Sequence, residues 1–278
     1  MATEDSKIKI TKDENAQTSD HYRISVKKDN KNVAAASEEE TVIDLAVSVD
    51  RLTILPPKKK LLVLPITGFL VHRAFIHRKR TIPKNRRPDF CYGHFMIYKR
   101  PYCEEFLKFC FERFEVGIWS SATDYNIGGV LTNVMGDFQS KLLFTWDQNQ
   151  CTPTDFKHLD NDDKQIFLKE LDRILKKKDL FPYAEYSASN TLLITDPVKA
   201  LLNPPNTSIS PSNYNPENLT DNLLGPNGEL WMFLDKLAEA EDVQTYVEKH
   251  PIGDPAITPS HADWEFYSKI ISAYGKNN

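Results

Sequence analysis

The sequence predicts an α/β protein with a doubly wound, mostly parallel sheet and helices on both faces. Apolar runs of strand length occur at residues 61–64, 116–121, 142–146 and 191–194. These runs are continuous rather than alternating, which is typical of strands buried on both faces. Segments with apolar residues at three- and four-residue spacing lie between them and indicate helices. Alternating strands and helices favour a parallel sheet, whose ligands bind beyond the carboxyl ends of the strands.

Each predicted element rests on local signals. The strand at residues 61–64 follows three lysines and ends at Pro65. A helix follows Arg100-Pro101, because proline is favoured in a first helical turn, and its stripe places Cys103 and Cys110 in the core. The spacing predicts further helices over residues 123–135, which contain two weakening glycines, over 162–176 and over 228–240. Residues 203–216 are rich in proline and asparagine and predict a loop.

Three segments divide the chain. Residues 1–56 are polar with scattered apolar positions and predict a disordered or loosely attached arm, in which only residues 41–47 could pair as an edge strand. Residues 57–250 form the predicted main domain. Residues 251–278 form a tail with a short helix, and we expect Trp264 and Tyr267 to dock onto the domain rather than onto a partner.

Composition and charge exclude several classes of protein. No apolar run approaches the roughly 18 residues of a membrane span, and the four cysteines form no CxxC pair. The N-terminus lacks the apolar stretch of a secretory signal, so we expect a cytoplasmic or nuclear protein with no membrane partner. The net charge is −4, yet residues 72–100 are strongly basic. Residues 78–87 within that stretch are open to four interpretations: a contact for a phosphate-bearing or acidic partner, a nuclear address, a lid over a pocket or a solvated loop.

Several motifs in order carry a family resemblance: KKLLVLPITGFLV, IYKRPYCEEFLKFCFERFEVGIWSSA, LLFTWDQNQCT and NTLLITDPVKALLNPPNTSI. Together they resemble the NLI-interacting-factor branch of the RNA polymerase II C-terminal-domain phosphatases, in the haloacid dehalogenase superfamily. The likeness covers about residues 58–247. It implies a haloacid dehalogenase-like Rossmannoid fold with its site after the first, second and fourth strands.

The resemblance also shows where this chain departs from the family. Such enzymes carry an Asp-x-Asp pair after the first strand, whose first carboxylate attacks phosphorus and whose second is the acid and base. Pro65 and Thr67 stand at those positions. Proline has no nucleophilic atom, and a threonine hydroxyl does not exchange protons near neutral pH as a carboxylate does. The late Asp-Asp motif reads Thr195-Asp196, so we expect magnesium binding to be lost or weak and predict no cofactor and no metal ligand.

The phosphate-holding positions are retained. Ser120 matches the family's hydroxyl motif, with helix N-capping as the alternative. Lys178, in Lys178-Asp179-Leu180, matches the lysine that balances phosphate charge, with a solvated lysine as the alternative. The predicted ligand site therefore consists of Thr67, Gly68, Ser120, Ser121, Lys178, Thr195 and Asp196.

Other polar clusters are given structural interpretations. We expect His72, His77 and His94 to be surface histidines, since no carboxylate lies near them in sequence. Asp160, Asp162 and Asp163 lack the spacing of a calcium loop and are interpreted as a solvated helix N-terminus.

Three functions follow from these residues. The first is a catalytically degenerate phosphatase-like domain, a pseudophosphatase, that binds a phosphopeptide, an anion or a protein partner. The second is a repurposed pocket for a small molecule, with Asp196, Ser120 and Thr67 as proton-transfer groups. The third is a weak residual serine/threonine phosphatase that uses Asp196. The expectation is against a nucleic acid partner.

Overall fold

The computed structural model describes residues 7–12, 22–27, 58–177 and 185–275. The chain divides into two units, Met1–Lys58 and Lys59–Asn278. In the first unit, β1 (Lys7–Lys12) pairs antiparallel with β2 (Tyr22–Lys27). This hairpin was not predicted, although both strands alternate apolar and polar residues, which is a strand signal. The edge strand expected at residues 41–47 lies outside the described residues.

The second unit is built from strands and helices in alternation. Its strands are β3 (Leu61–Leu64), β4 (Val71–Phe75), β5 (Phe90–Tyr92), β6 (Phe95–Lys99), β7 (Glu115–Trp119), β8 (Phe144–Trp146), β9 (Thr152–His158), β10 (Asn161–Leu168), β11 (Thr191–Ile194) and β12 (Ser208–Ile209). Its helices are α1 (Cys103–Arg113), α2 (Asp124–Met135), α3 (Asp172–Leu175), α4 (Glu229–Glu239), α5 (Val243–Lys249) and α6 (Trp264–Tyr274).

A five-stranded parallel sheet forms the centre of this unit, in the order β12-β11-β3-β7-β8. All four residues of β3 are fully buried. Leu62 and Leu64 join one apolar cluster, and Leu61 and Val63 join another. Because successive side chains of a strand point to opposite faces, these two clusters cover both faces of the sheet. The predicted doubly wound parallel fold is confirmed.

The helices predicted at the first two crossovers and near residue 230 are also confirmed. Cys103 and Cys110 are buried in α1, as predicted. Burial raises the pKa of the Cys103 thiol to about 12 and raises that of Cys110 well above its usual value. Thiols in such surroundings stay protonated and unreactive, because the thiolate is the reactive form.

Two predicted secondary-structure assignments were wrong. Residues 162–176 do not form one helix, since β10 pairs antiparallel with β9 and only α3 is helical. Ile166 and Leu168 face one cluster while Phe167 packs against another, so the apolar run serves two faces of a strand. The proline-rich stretch at 203–216 is not entirely loop, because β12 pairs with β11 at the edge of the sheet.

Two further substructures surround the central sheet. The chain between β3 and α1 forms a three-stranded antiparallel sheet in the order β4-β6-β5. The β9–β10 hairpin packs against the tail, where Ile270 of α6 is fully buried in a cluster with Ile166, Leu168 and Val198. Tyr267 packs against the same cluster, and Trp264 is half-buried at the start of α6. Across the described ranges, every helix is too short or too polar to cross a bilayer.

Candidate functional site

A cavity of about 420 Å³ lies beyond the carboxyl ends of β3, β7 and β11. Parallel strands bring their carboxyl ends to the same edge of a sheet, so polar residues distant in sequence meet there. Six of the seven residues predicted for the ligand site line the cavity: Thr67, Gly68, Ser120, Ser121, Thr195 and Asp196. Pro65 lines it as well. The seventh, Lys178, lies outside the described residues.

The turn after β3 sets the floor of the cavity. Pro65 follows the strand directly, and Thr67 is exposed. Gly68 has φ +86°, and its N–H donates to the Val71 carbonyl at 2.8 Å. A Cβ atom there would lie 2.8 Å from Asn213 Oδ1. The turn therefore requires glycine, both for its left-handed backbone and for the close approach of Asn213.

Ser120 directly follows β7, and its hydroxyl is held by the local backbone. The Ser120 N–H donates to the Trp146 carbonyl at 2.8 Å, and Oγ accepts from the Ala122 N–H at 3.1 Å. The N-cap alternative is wrong, because α2 begins at Asp124, whose N–H donates to Asp147 Oδ2 at 3.0 Å. The lone pairs and proton of Ser120 that remain are available to a ligand in the cavity.

After β11, Asp196 has a structural task. Its Oδ1 accepts from the Val198 N–H at 3.1 Å and caps the 3₁₀ turn Pro197–Ala200. Thr195 is buried, and its N–H donates to the Ile209 carbonyl at 3.0 Å. These bonds hold the Asp196 carboxylate at the cavity wall with one oxygen already engaged.

Lys169 is the main cavity residue that the sequence analysis did not predict. It follows β10, lines the cavity and is only 2% exposed. Its Nζ donates to the Trp119 carbonyl at 2.7 Å. Burial, reinforced by the charge of Lys199, lowers the pKa of Lys169 to about 7. Lys169-Glu170-Leu171 has the same lysine–acid–leucine pattern as Lys178-Asp179-Leu180. Because residues 162–176 were predicted to be one helix, the position of Lys169 directly after a strand was not recognised.

Three more cations line the cavity: Arg73 on β4, Lys164 on β10 and Lys199. Burial lowers the pKa of both Arg73 and Lys199. Among the described residues, no carboxylate forms an ion pair with any of the four cations. Asp196 and Asp254 are the two carboxylates in the lining. The cavity therefore has an excess of positive charge and favours an anion.

The Arg73 guanidinium is positioned by its neighbours. It lies 3.9 Å from the centroid of the Phe95 ring, and Nη2 donates to Asn126 Oδ1 at 3.3 Å. Its Nε is buried and has no hydrogen bond partner among the described residues. A buried donor without a partner is costly. An anion in the cavity would supply the counter-charge that the guanidinium lacks among the described residues.

The donor set does not fit a magnesium ion. In residues 58–177 and 185–275, no three His, Cys, Asp or Glu side chains converge to hold a metal. A hard cation needs several oxygen ligands, and four lysine and arginine side chains at the same cavity repel it. The loss of magnesium binding stays a prediction.

The remaining polar clusters lie away from the cavity lining. His77 and His94 are exposed with ring centroids 5.9 Å apart, and His72 is half-buried. Asp160, Asp162 and Asp163 are exposed at the turn of the β9–β10 hairpin, so their interpretation as a helix N-terminus was wrong. None of residues 78–87 lines the cavity.

A family model for NLI interacting factor-like phosphatases matches residues 60–244. The chain belongs to this family. Among solved structures, RNA polymerase II CTD phosphatase Fcp1 matches at 14% identity, over 78% of this chain and 62% of that one, with a TM-score of 0.35. A fission yeast Fcp1 variant bound to beryllium fluoride has 14% identity, 78% and 63% coverage and a TM-score of 0.36. The chain thus spans less than two thirds of these solved chains. No curated protein matches it.

Proposed function

We propose that this phosphatase-like domain binds the phosphate group of a phosphorylated peptide and does not hydrolyse it. The observation that carries this proposal is the combination, in one cavity, of four cationic side chains with a proline at the end of β3. Lysine and arginine groups recognise phosphate oxygens through charge-assisted hydrogen bonds. Lys169 is the main phosphate-binding residue in this proposal, since it is enclosed by protein and already oriented by the Trp119 carbonyl.

Hydrolysis by the family mechanism needs an in-line nucleophile. Pro65 offers no attacking atom, and Thr67 cannot serve as a carboxylic acid. Asp196 is an unsuitable replacement, because one of its oxygens accepts from Val198 and the residue follows a different strand. These features argue against the residual phosphatase.

The chemistry of the lining also favours a phosphate over an apolar small molecule. Phe69 is the aromatic residue that contributes to the lining, and its side chain is itself buried. Pockets for apolar ligands are lined mainly by hydrophobic and aromatic side chains. Four cations argue instead for a ligand with negative charge.

Calorimetry and a phosphatase assay test the proposal together. We expect a phosphoserine peptide to bind while its unphosphorylated form does not, and sulfate to compete with it. The Lys169→Met variant should bind about tenfold more weakly or worse, because a hydrogen bond to a charged group is worth about 1.5–3 kcal/mol. With p-nitrophenyl phosphate and magnesium we expect no hydrolysis above background.

Lys236→Met is the matched control, since Lys236 is exposed on α4 and distant in sequence from every cavity residue. It removes the same charge and should leave phosphopeptide affinity unchanged. Hydrolysis that Lys169→Met abolishes, or equal affinity for the phosphorylated and unphosphorylated peptides, would overturn the proposal.

A further inference from the structure

A second cleft, of about 430 Å³, adjoins the cavity. The two share Asp196, Pro197 and Asp254 in their linings. The second cleft is bordered by the β9–β10 hairpin, by the turn that begins at Pro197, and by the tail as far as Tyr267. A ligand that fills the cavity therefore has the second cleft directly beside it.

The charge of this acidic cleft is opposite to that of the cavity. Four carboxylates line it, those of Asp160, Asp196, Asp254 and Asp263, and neither lysine nor arginine does. Their field reaches the wall of the cleft: burial raises the pKa of Tyr267, and the charges of Asp263, Asp196 and Asp160 raise it further. Adjacent sites of opposite sign select a ligand that itself carries both charges.

His158 supplies a second, independent indication of a ligand. Its side chain lines the acidic cleft and is 8% exposed, and its buried Nε2 has no hydrogen bond partner in the described part of the chain. Burial, then the charge of Lys164, lowers the pKa of His158, so the ring is neutral at pH 7. A neutral imidazole has one ring nitrogen that accepts a hydrogen bond. This acceptor nitrogen therefore remains unpaired in a residue of the cleft wall.

The donor set favours an organic cation over a metal ion. No three acidic, histidine or cysteine side chains of the described ranges converge closely enough to hold a metal. Carboxylates spread around a cleft of this volume suit an ammonium or guanidinium group, which presents several N–H donors in different directions.

We propose that the acidic cleft binds a lysine or arginine side chain of the same peptide whose phosphate occupies the cavity. The inference rests on the proposed function and specifies its ligand as a phosphorylated segment with a basic residue near the phosphorylated one. The two charges fix the direction of the peptide, since reversing it would place like charges together.

A lysine scan tests this inference. A phosphoserine peptide of glycine, serine and alanine is synthesised with one lysine at each position from five before to five after the phosphoserine, with norleucine peptides as neutral partners. At one or two positions lysine should strengthen binding about fivefold over norleucine, the upper range for a solvent-exposed ion pair. The gain should shrink as salt is raised.

The double variant Asp160→Asn/Asp263→Asn identifies the source of that gain, because both residues are exposed and line only the acidic cleft. It should abolish the preference for lysine and keep the affinity for the lysine-free phosphopeptide within about twofold. Glu112→Gln/Asp137→Asn removes the same charge from exposed positions elsewhere and should retain the preference. Thermal unfolding confirms that both variants are folded.

Failure of this inference is separable from failure of the proposed function. If phosphopeptides bind but lysine has no effect at any position, or if its effect persists in Asp160→Asn/Asp263→Asn, the acidic cleft does not bind a basic residue and the phosphate site stands. If no phosphopeptide binds at all, both proposals are overturned.

Discussion

Lys169 places an ammonium group in the protein interior at the wall of the cavity. Removing a charge from water is expensive, and the Trp119 carbonyl at 2.7 Å supplies only a dipole in return. The cost appears as the lowered pKa of about 7. A bound dianion would restore the missing counter-charge and raise that pKa again. The residue is therefore poorly stabilised without a ligand and well stabilised with one.

The pH dependence of stability follows from this pKa. The unfolded chain keeps lysine protonated up to about pH 10.4, whereas folded Lys169 loses its proton near pH 7. Above pH 7 the unfolded state thus binds more protons, and the free energy of unfolding rises with pH. Relative to Lys169→Met, the natural chain should gain about 1.6 kcal/mol between pH 7 and 8.5. Urea denaturation across this range measures the difference.

The range stops at pH 8.5 for a physical reason. Cys103 and Cys110 have raised pKa values in the folded state. Above pH 9 the unfolded chain therefore loses the protons of these thiols before the folded chain does, and the free energy of unfolding falls as pH rises. Lys236→Met should show the same pH dependence as the natural chain. A parallel pair of curves for the natural chain and Lys169→Met would contradict the low pKa.

Which site residues could be predicted depended on their distance from a strand end. Pro65, Thr67, Ser120 and Asp196 directly follow apolar strands, so the rule for parallel sheets locates them without knowledge of any contact. The other charged lining residues come from the antiparallel sheet, the hairpin, a 3₁₀ turn and the tail: Arg73, Lys164, Lys169, Lys199 and Asp254. Their convergence depends on long-range packing, which local patterns do not encode.

Among elements, α2 shows how similar residues in one helix can have opposite effects. Gly128 and Gly129 are adjacent within Asp124–Met135. A Cβ on Gly128 would have no neighbour within 4 Å, whereas one on Gly129 would lie 2.0 Å from Tyr92 Cε2. Helix propensity acts equally on both glycines, so packing alone distinguishes them.

This contrast predicts opposite outcomes for two matched substitutions. Gly128→Ala should stabilise the protein by up to about 1 kcal/mol, since alanine is the better helix former. Gly129→Ala should destabilise it by about 1–3 kcal/mol, because the Tyr92 ring must move. Chemical denaturation of both variants measures the difference, and Tyr92→Ala should relieve the penalty of Gly129→Ala. Equal effects at both positions would show that Tyr92 does not pack on α2 as described.

The β9–β10 hairpin explains the largest error in the prediction of elements. Residues 162–176 combine a strand with a short helix, and their apolar residues happen to match helical spacing. Pairing with β9 decides the outcome, because the ladder satisfies backbone groups and lets Ile166 and Phe167 face different clusters. Tertiary context overrides local periodicity at such positions. The central strands, buried on both faces, left no such ambiguity.

At the scale of the whole molecule, Arg100 joins segments far apart in the chain. Its side chain is 1% exposed and pairs bidentately with Asp221, with Nη2 2.8 Å from Oδ2 and Nε 3.0 Å from Oδ1. Nη1 also donates to the Ser212 carbonyl at 3.1 Å. These bonds fasten the segment after β12 to the start of α1 and hold the wall that carries Asn213 against the cavity.

Breaking this ion pair should destabilise the fold strongly. Arg100→Met leaves the Asp221 carboxylate, 8% exposed, without its counter-charge, and we expect a loss of about 3–5 kcal/mol. The double variant Arg100→Met/Asp221→Leu should lose less than Arg100→Met alone, because no buried charge remains. Urea denaturation of Arg100→Met, Asp221→Leu and the double variant measures the coupling, and strictly additive losses would rule it out.

The position of β3 in the sheet has a consequence for biosynthesis. It is the first strand of the parallel sheet to leave the ribosome, yet its two flanking partners, β7 and β11, are translated later, and β11 much later. Until then Leu61–Leu64 has no complete set of neighbours. Forming such distant strand pairs is slow, and an exposed apolar segment without its partners is prone to aggregation during that time.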